Sequence, residues 1–159
     1  MKKKQQRRSD CPISFALEMF GDRWSLLIIR EIVYFGKKSY GEFLKTEEGI
    51  ATNILASRLV QLEQKGILVK KPYETDKRKE IYSLTEKGLD LIPILLELAS
   101  WGAQHDPQTG APQEWIALVN ADKEKMIRLI RETVQRGGSI FSEPNSVVNK
   151  IGRVDLVNE

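Results

Sequence analysis

Reactive and metal-binding residue types are scarce in this chain: its 159 residues include one cysteine, Cys11, and one histidine, His105. A single cysteine excludes an intramolecular disulfide framework and suits a reducing, cytoplasmic setting. One Cys and one His leave a structural zinc site short of ligands unless carboxylates or a second subunit complete it, so no metal is expected. Long apolar runs are missing too. No stretch reaches the roughly 18–20 residues of a membrane span, and no apolar signal region follows the charged N-terminus, so neither membrane insertion nor secretion is expected. The chain also lacks a nucleophile–base pair, a paired-carboxylate constellation and a glycine-rich phosphate loop. Gly137-Gly138 has neither the lysine nor the spacing of such a loop and marks a helix end. An enzyme is therefore not expected, nor a cofactor.

What the chain does have is unevenly distributed charge. Its formal net charge is +3, but residues 1–80 hold 17 Lys and Arg against 11 Asp and Glu, while residues 81–159 hold 8 against 11. A basic half followed by a mildly acidic one suits a polyanionic partner for the first half only. Met1–Asp10 is a basic arm without periodicity. Cys11-Pro12 opens a first helix ending at Gly21, and Asp22 N-caps a second that runs to about Phe35. Ser39 and Glu42 have capping-box spacing for a short helix, Tyr40 to Lys45. Thr85 begins a long apolar helix through Leu89, Ile92, Leu95, Leu96 and Ala99 to Trp101-Gly102. Pro93 should either kink it or start its best-formed part. Asp106–Pro112 reads as a linker, Trp115–Arg136 as one more helix, and the remainder as a tail without periodicity.

The most informative stretch is Ile50 to Thr85. Ala51, Leu55, Leu59 and Leu62 fall on one narrow arc at 3.6-residue spacing, a stripe expected to be buried. Asn53, Ser57, Val60 and Gln64 point the other way, on a small, polar face nearly free of acid. Gly66 should end this helix. Two alternating segments follow, Ile67–Tyr73 and Glu80–Leu84, with Asp76-Lys77-Arg78-Lys79 at their turn. A polar helix face followed by a hairpin with a cationic tip is the layout of a winged helix-turn-helix. Such a helix fits the DNA major groove, and the tip can reach backbone or minor groove. Asn53 and Ser57 are the candidates for base edges, and Thr52 for a phosphate at the helix start. Arg58, on the flank, can hold a phosphate or brace Glu63 or another acid. Lys77, Arg78 and Lys79 are the tip contacts, although lysines there would also serve to protect a sheet edge.

Cys11-Pro12-Ile13, Gly21-Asp22-Arg23-Trp24-Ser25-Leu26-Leu27-Ile28, Tyr40-Gly41-Glu42-Phe43, Leu55 to Gly66 and Tyr82-Ser83-Leu84-Thr85-Glu86-Lys87-Gly88, ending at Trp101-Gly102, come in an order that resembles the HxlR-type transcriptional regulators. These are bacterial winged-helix proteins related to the MarR group, and the resemblance covers about residues 9–103. It implies a mostly α fold with a small β-hairpin wing and flanking dimerisation helices. It also implies a homodimer on a partly palindromic double-stranded DNA operator. The resulting division is an arm at 1–10, a winged helix-turn-helix domain at 11–103, and a C-terminal extension at 104–159 with one helix and a flexible tail. Ala51 departs from the family pattern, where serine is common, which removes the simplest helix cap.

The expected dimer contacts are Ile13, Leu17 and Phe20 of the first helix with Leu89, Ile92, Leu95, Leu96 and Ala99 of the long one. Trp24 and Trp101 are core or dimer aromatics. In some family members the cysteine of the Cys-Pro motif senses thiol-reactive compounds. Here Cys11 would sit at a helix start beside Arg7 and Arg8, a setting that favours thiolate; a lone cysteine also serves as a small buried hydrophobe. No small-molecule effector can be named from the residues. The alternative function is a winged-helix module that binds protein or RNA without operator specificity.

Overall fold

The structure is a computed structural model and describes residues 8–155, with side chains through residue 152. The expected basic arm, Arg7 included, lies outside the described residues except for its last three positions.

Local sequence signals set most element boundaries. Helix α1, Pro12–Phe20, starts with proline at its first position, where a missing N–H costs nothing. Helix α2, Arg23–Phe35, is N-capped by Asp22, whose carboxylate accepts from Trp24 N and Ser25 N at 3.1 and 3.0 Å. Helix α3, Tyr40–Phe43, has the expected capping box between Ser39 and Glu42 but ends two residues early. Helix α4, Thr52–Gln64, buries Leu55, Leu59 and Leu62. Ala51, expected in that stripe, is its exposed N-cap instead. Gly66 closes α4 with φ of 71°, a conformation a Cβ would strain.

Strands β1, Leu68–Pro72, and β2, Glu80–Leu84, form an antiparallel hairpin in the register Leu68↔Leu84 through Pro72↔Glu80. Thr85 then caps a single turn, α5, Glu86–Leu89, and helix α6 follows at Ile92–His105. The long helix expected from Thr85 is thus broken before Pro93, which stands in the first turn of α6 and starts it.

Beyond the linker the structure departs further from expectation. Two helices stand where one was expected, α7 at Gln113–Ala121 and α8 at Lys123–Gln135. The break falls at Asp122, which leaves helical geometry and caps α8 by accepting from Lys125 N. The described part of the segment expected to be a flexible tail is packed, and it includes helix α9, Val147–Asp155. Its backbone supplies what the end of α2 lacks. Ile140 N and Phe141 N donate to Val33 O and Tyr34 O at 2.9 and 3.0 Å, and Ser142 Oγ donates to Phe35 O at 2.8 Å. These are carbonyls of the last turn of α2, which have no partner within the helix. Ile140 and Val147 are fully buried, and Phe141 packs among Tyr34, Phe35 and Trp115.

One core results. Helix α2 contributes Ile28, Ile29, Ile32 and Val33 at its centre and packs against α4, α6 and α8. The extension adds Trp115, Val119, Met126 and Ile130 to the same cluster.

Candidate nucleic-acid interface

The arc of α4 opposite its buried stripe stands free: Asn53, Ser57, Val60 and Gln64 are all exposed, as is Thr52 at the helix start. Ala51 has no oxygen with which to cap the first turn, and that turn contains no acid. The amide groups at this end are therefore left to solvent or to an anion, which the helix dipole favours. Thr52 O accepts from Tyr40 Oη at 3.0 Å, so α3 fixes the start of α4 while the Thr52 side chain stays outward.

Two charged clusters hold this helix in place, and sequence reasoning found neither as such. Arg58 Nε donates to Asp22 Oδ1 at 2.9 Å, the bracing role with Asp22 as the acid rather than Glu63. Asp22 also accepts from Ser25 Oγ at 2.5 Å, so one carboxylate caps α2 and ties α4 to it. Burial alone would raise the Asp22 carboxyl, but hydrogen bonds from Ser25 and Arg58 outweigh it and lower the pKa. The second cluster fixes the turn before α4. Arg30 grips Glu48 with both terminal nitrogens, at 2.6 and 2.9 Å, and also bonds buried Glu31 at 2.5 Å, while Lys37 pairs with the other Glu31 oxygen. The hydrogen bonds from Arg30 pull the Glu48 pKa down to about 2. The partners lie 36 and 18 residues apart, beyond any local periodicity. Lys65, at the far end of α4, donates to Glu18 O and Met19 O at 2.9 and 3.2 Å and so joins α4 to α1.

The wing tip is as open as expected. Lys77, Arg78 and Lys79 are exposed, with the Arg78 side chain 93% accessible. Asp76 shapes the turn by accepting from Arg78 N at 3.1 Å, and Arg78 Nε lies 3.2 Å from the same oxygen. At the wing's base Tyr82 N donates to Lys38 O at 2.7 Å and Thr85 Oγ1 to Gly66 O at 2.5 Å, which fixes the hairpin relative to α4.

The expected dimer residues divide into two groups. Ile13 and Leu17 are exposed on α1, and Phe20 and Ala99 are half-buried. Leu89, Ile92, Leu95 and Leu96 are buried in the chain's own core and cannot meet a partner, because the inner face of α6 covers α2, α7 and α8 while α5 packs against β2. The outward face of α6 carries a different set, Ile94, Leu98 and Trp101, the last 65% exposed with its ring 4.6 Å from that of His105. Trp24 is partly buried against the core. Cys11 is an exposed thiol at the N-cap of α1, beside a shallow cleft of about 230 Å³ lined by Arg8, Phe15 and Glu18. Among the described residues there is no cluster of His, Cys, Asp and Glu suited to a metal ion. Nor is any described helix long and apolar enough to cross a membrane.

A sequence model described as HxlR-like helix-turn-helix matches residues 19–109. Rv3095 of Mycobacterium tuberculosis, named as an uncharacterised HTH-type transcriptional regulator, is 39% identical over 97 residues, which are 61% of this chain and 60% of that protein. The matched part of the chain thus spans about 60% of the length of its mycobacterial relatives. YybR of Bacillus subtilis, named likewise, is 34% identical over 95 residues, 60% of this chain and 75% of that protein. Among solved structures, PA1607, described as a candidate transcription factor, aligns with a TM-score of 0.60 at 36% identity, covering 67% of this chain and 74% of its own. The oxidised form of HypR, titled a redox regulator, aligns with a TM-score of 0.54 at 34% identity, covering 59% and 96%.

Proposed function

The chain belongs to the HxlR-like helix-turn-helix family, and from that premise we propose that it is a transcriptional regulator binding a partly palindromic double-stranded DNA operator as a homodimer. The observation that carries this reading is the pairing of two surfaces: an outer face on α4 that is nearly free of acid and starts without a side-chain cap, and a wing with a cationic tip whose base is fixed to α4 through Thr85 and Lys38. Asn53 and Ser57 meet base edges, Thr52 and the first amides of α4 meet a phosphate, and Lys77, Arg78 and Lys79 follow the backbone or minor groove. Arg58 acts one step back, holding α4 in position through Asp22.

A homodimer is supported by apolar surface left over after the core is filled. Ile13, Phe15 and Leu17 on α1 and Leu98 and Trp101 on α6 are each at least half exposed, and exposed apolar surface of this kind marks contact sites. Two copies then present two α4 helices to successive major-groove faces of one operator.

Selection of bound sites from random duplexes tests the proposal. A palindrome with half-sites about one helical turn apart is expected, with affinity falling linearly in log salt. Binding that ignores sequence would favour the interaction-module alternative instead. A thiol response is a second reading, favoured by the exposure of Cys11 and by the likeness to HypR. Cys11→Ser is expected to keep operator binding and to abolish any effect of peroxide or quinone on it. An oxidised wild type that binds its operator unchanged would retire the thiol reading alone.

A further inference from the structure

A cleft of about 430 Å³ opens beneath the wing, between the hairpin and the C-terminal extension. Its volume lies in the range of small-molecule sites, roughly 300–1,000 Å³. The register of the hairpin explains one wall. Val69 pairs with Ser83 and Lys71 with Ile81, and residues two apart on a strand share a face, so these four turn together toward the cleft. The opposite wall is Ile32, Leu89 and Val134, of which the first two are buried. Gly137 and Gly138 close one end. Gly137 has φ of 81°, and a Cβ there would press on Lys38 Nζ at 3.2 Å. Val134, Gly137 and Gly138 come from α8 and the turn after it, beyond residues 19–109 that match the HxlR-like family, whereas Ile32 and Leu89 lie within that match.

The charges at the cleft are unbalanced. Lys38 Nζ donates to a carbonyl, Gly137 O at 3.1 Å, and its charge is felt by the nearby Glu42 carboxylate, whose pKa it helps to lower without forming an ion pair. The one acid lining the cleft, Glu86, has both oxygens engaged, with Arg131 at 2.5 Å and Gln135 at 2.8 Å. Apolar walls with two ammonium groups at the rim, and a single lining acid already engaged, suit one chemical class.

We propose that this cleft binds an amphipathic organic anion, a carboxylate on an aromatic or aliphatic body, and that its occupancy changes how the wing meets DNA. The second half rests on the operator-binding function proposed above. The anion's charge meets Lys38 and Lys71 while its body lies between the hairpin face and Val134. Lys38 is also the residue whose carbonyl accepts from Tyr82 N, so a ligand on its ammonium bears on the base of the wing. The α8 wall is held in the core through Met126 and Ile130, so a ligand that fills the cleft presses on the hairpin face opposite it.

The binding half is tested without DNA, using the full chain and 1-anilinonaphthalene-8-sulfonate as fluorescent probe. Saturable enhancement is expected, displaced by 1-naphthoate and at least tenfold less well by the neutral 1-naphthalenemethanol. Val134→Trp should fill the cleft and remove the displaceable signal with helix content unchanged, and Lys71→Met should weaken naphthoate at least threefold. Equal displacement by acid and alcohol would overturn the proposal, as would a folded Val134→Trp chain that behaves like wild type. Should Val134→Trp fail to fold, Lys71→Met, on an exposed strand position, decides: unchanged naphthoate affinity overturns the site. The coupling half expects naphthoate to shift wild-type operator affinity at least threefold, and an unmoved affinity overturns it. A chain that binds naphthoate but selects no operator would retire the DNA reading and leave the site standing.

Discussion

On the operator-binding function proposed above, Asn53 and Arg78 make different demands on a duplex. Asn53 presents an amide from the outer face of α4, where a bidentate contact to adenine depends on which base is present. Arg78 offers an exposed charge at the wing tip, where the phosphate backbone or a narrow groove would attract it whatever the bases. Asn53→Ala is therefore expected to relax base preference by about 1–3 kcal/mol at one position, measured by ranking single-base operator variants. Arg78→Ala should weaken all duplexes alike and reduce the salt slope by roughly one. An unchanged ranking for Asn53→Ala would mean that α4 is not the reading helix. Glu48 gives a prediction of another kind. Its pKa is about 2 in the fold, below its ordinary value of 4.5, chiefly through the hydrogen bonds from Arg30. A depressed carboxylate stabilises the fold fully above its unfolded pKa and loses that contribution as pH falls through the folded one. Wild type should thus lose stability between about pH 4.5 and 2 that Glu48→Gln lacks from the start. Melting curves across that range, converging at the acid end, check it.

Helices were legible where their causes are local. Asp22, Ser39 and Gly66 each announce a terminus through groups within four residues, and the α4 stripe at Leu55, Leu59 and Leu62 needs only the helical period. The tips of the wing and the outer face of α4 were legible for the same reason. The supports of α4 were not, because Arg58 with Asp22 and Arg30 with Glu48 are pairings that only the folded chain creates. Helix α6 was misjudged because it is apolar on two sides. Ile92, Leu95 and Leu96 look like surplus in the sequence, yet the flank of α2 needs them, and Leu98 and Trp101 are what remains outside. Ala51 supplies the prediction at this scale. It begins α4 without a side-chain acceptor, at φ of −69° and ψ of 145°, a conformation a capping serine adopts. Ala51→Ser should stabilise the protein by about 0.5–2 kcal/mol, seen as a higher denaturant midpoint with an unchanged slope. A midpoint that does not move would mean that the first amides of α4 are already satisfied.

For the molecule as a whole, the decisive relation is between the winged helix and the extension that follows it. HypR is matched over 96% of its length by only 59% of this chain, so a fold of this outline is complete there without a counterpart to everything this chain contains. Here the two parts are joined at the core. The carbonyls of Val33, Tyr34 and Phe35 are capped from residues 140–142, and Lys38 reaches Gly137. Trp115, Met126, Ile130, Ile140 and Val147 are buried in the cluster that contains Ile28 and Ile32. The helical pattern within Trp115–Arg136 was legible, but its docking on α2 was not, since residues 139–146 have no period and gain their order from the end of α2. Deleting everything after Asp106 would remove those buried side chains, each worth about 1.5–3 kcal/mol, from a protein whose total stability is on the order of 5–15 kcal/mol. The full chain is therefore expected to unfold in one cooperative transition, and the truncated chain to melt far lower or fail to fold. Two transitions in the full chain, or a truncated chain with an unshifted midpoint, would mean that the extension is appended to an independent domain. One transition with a large loss on truncation would mean that residues beyond the family's shared segment hold α2, and through α2 the helix offered to DNA.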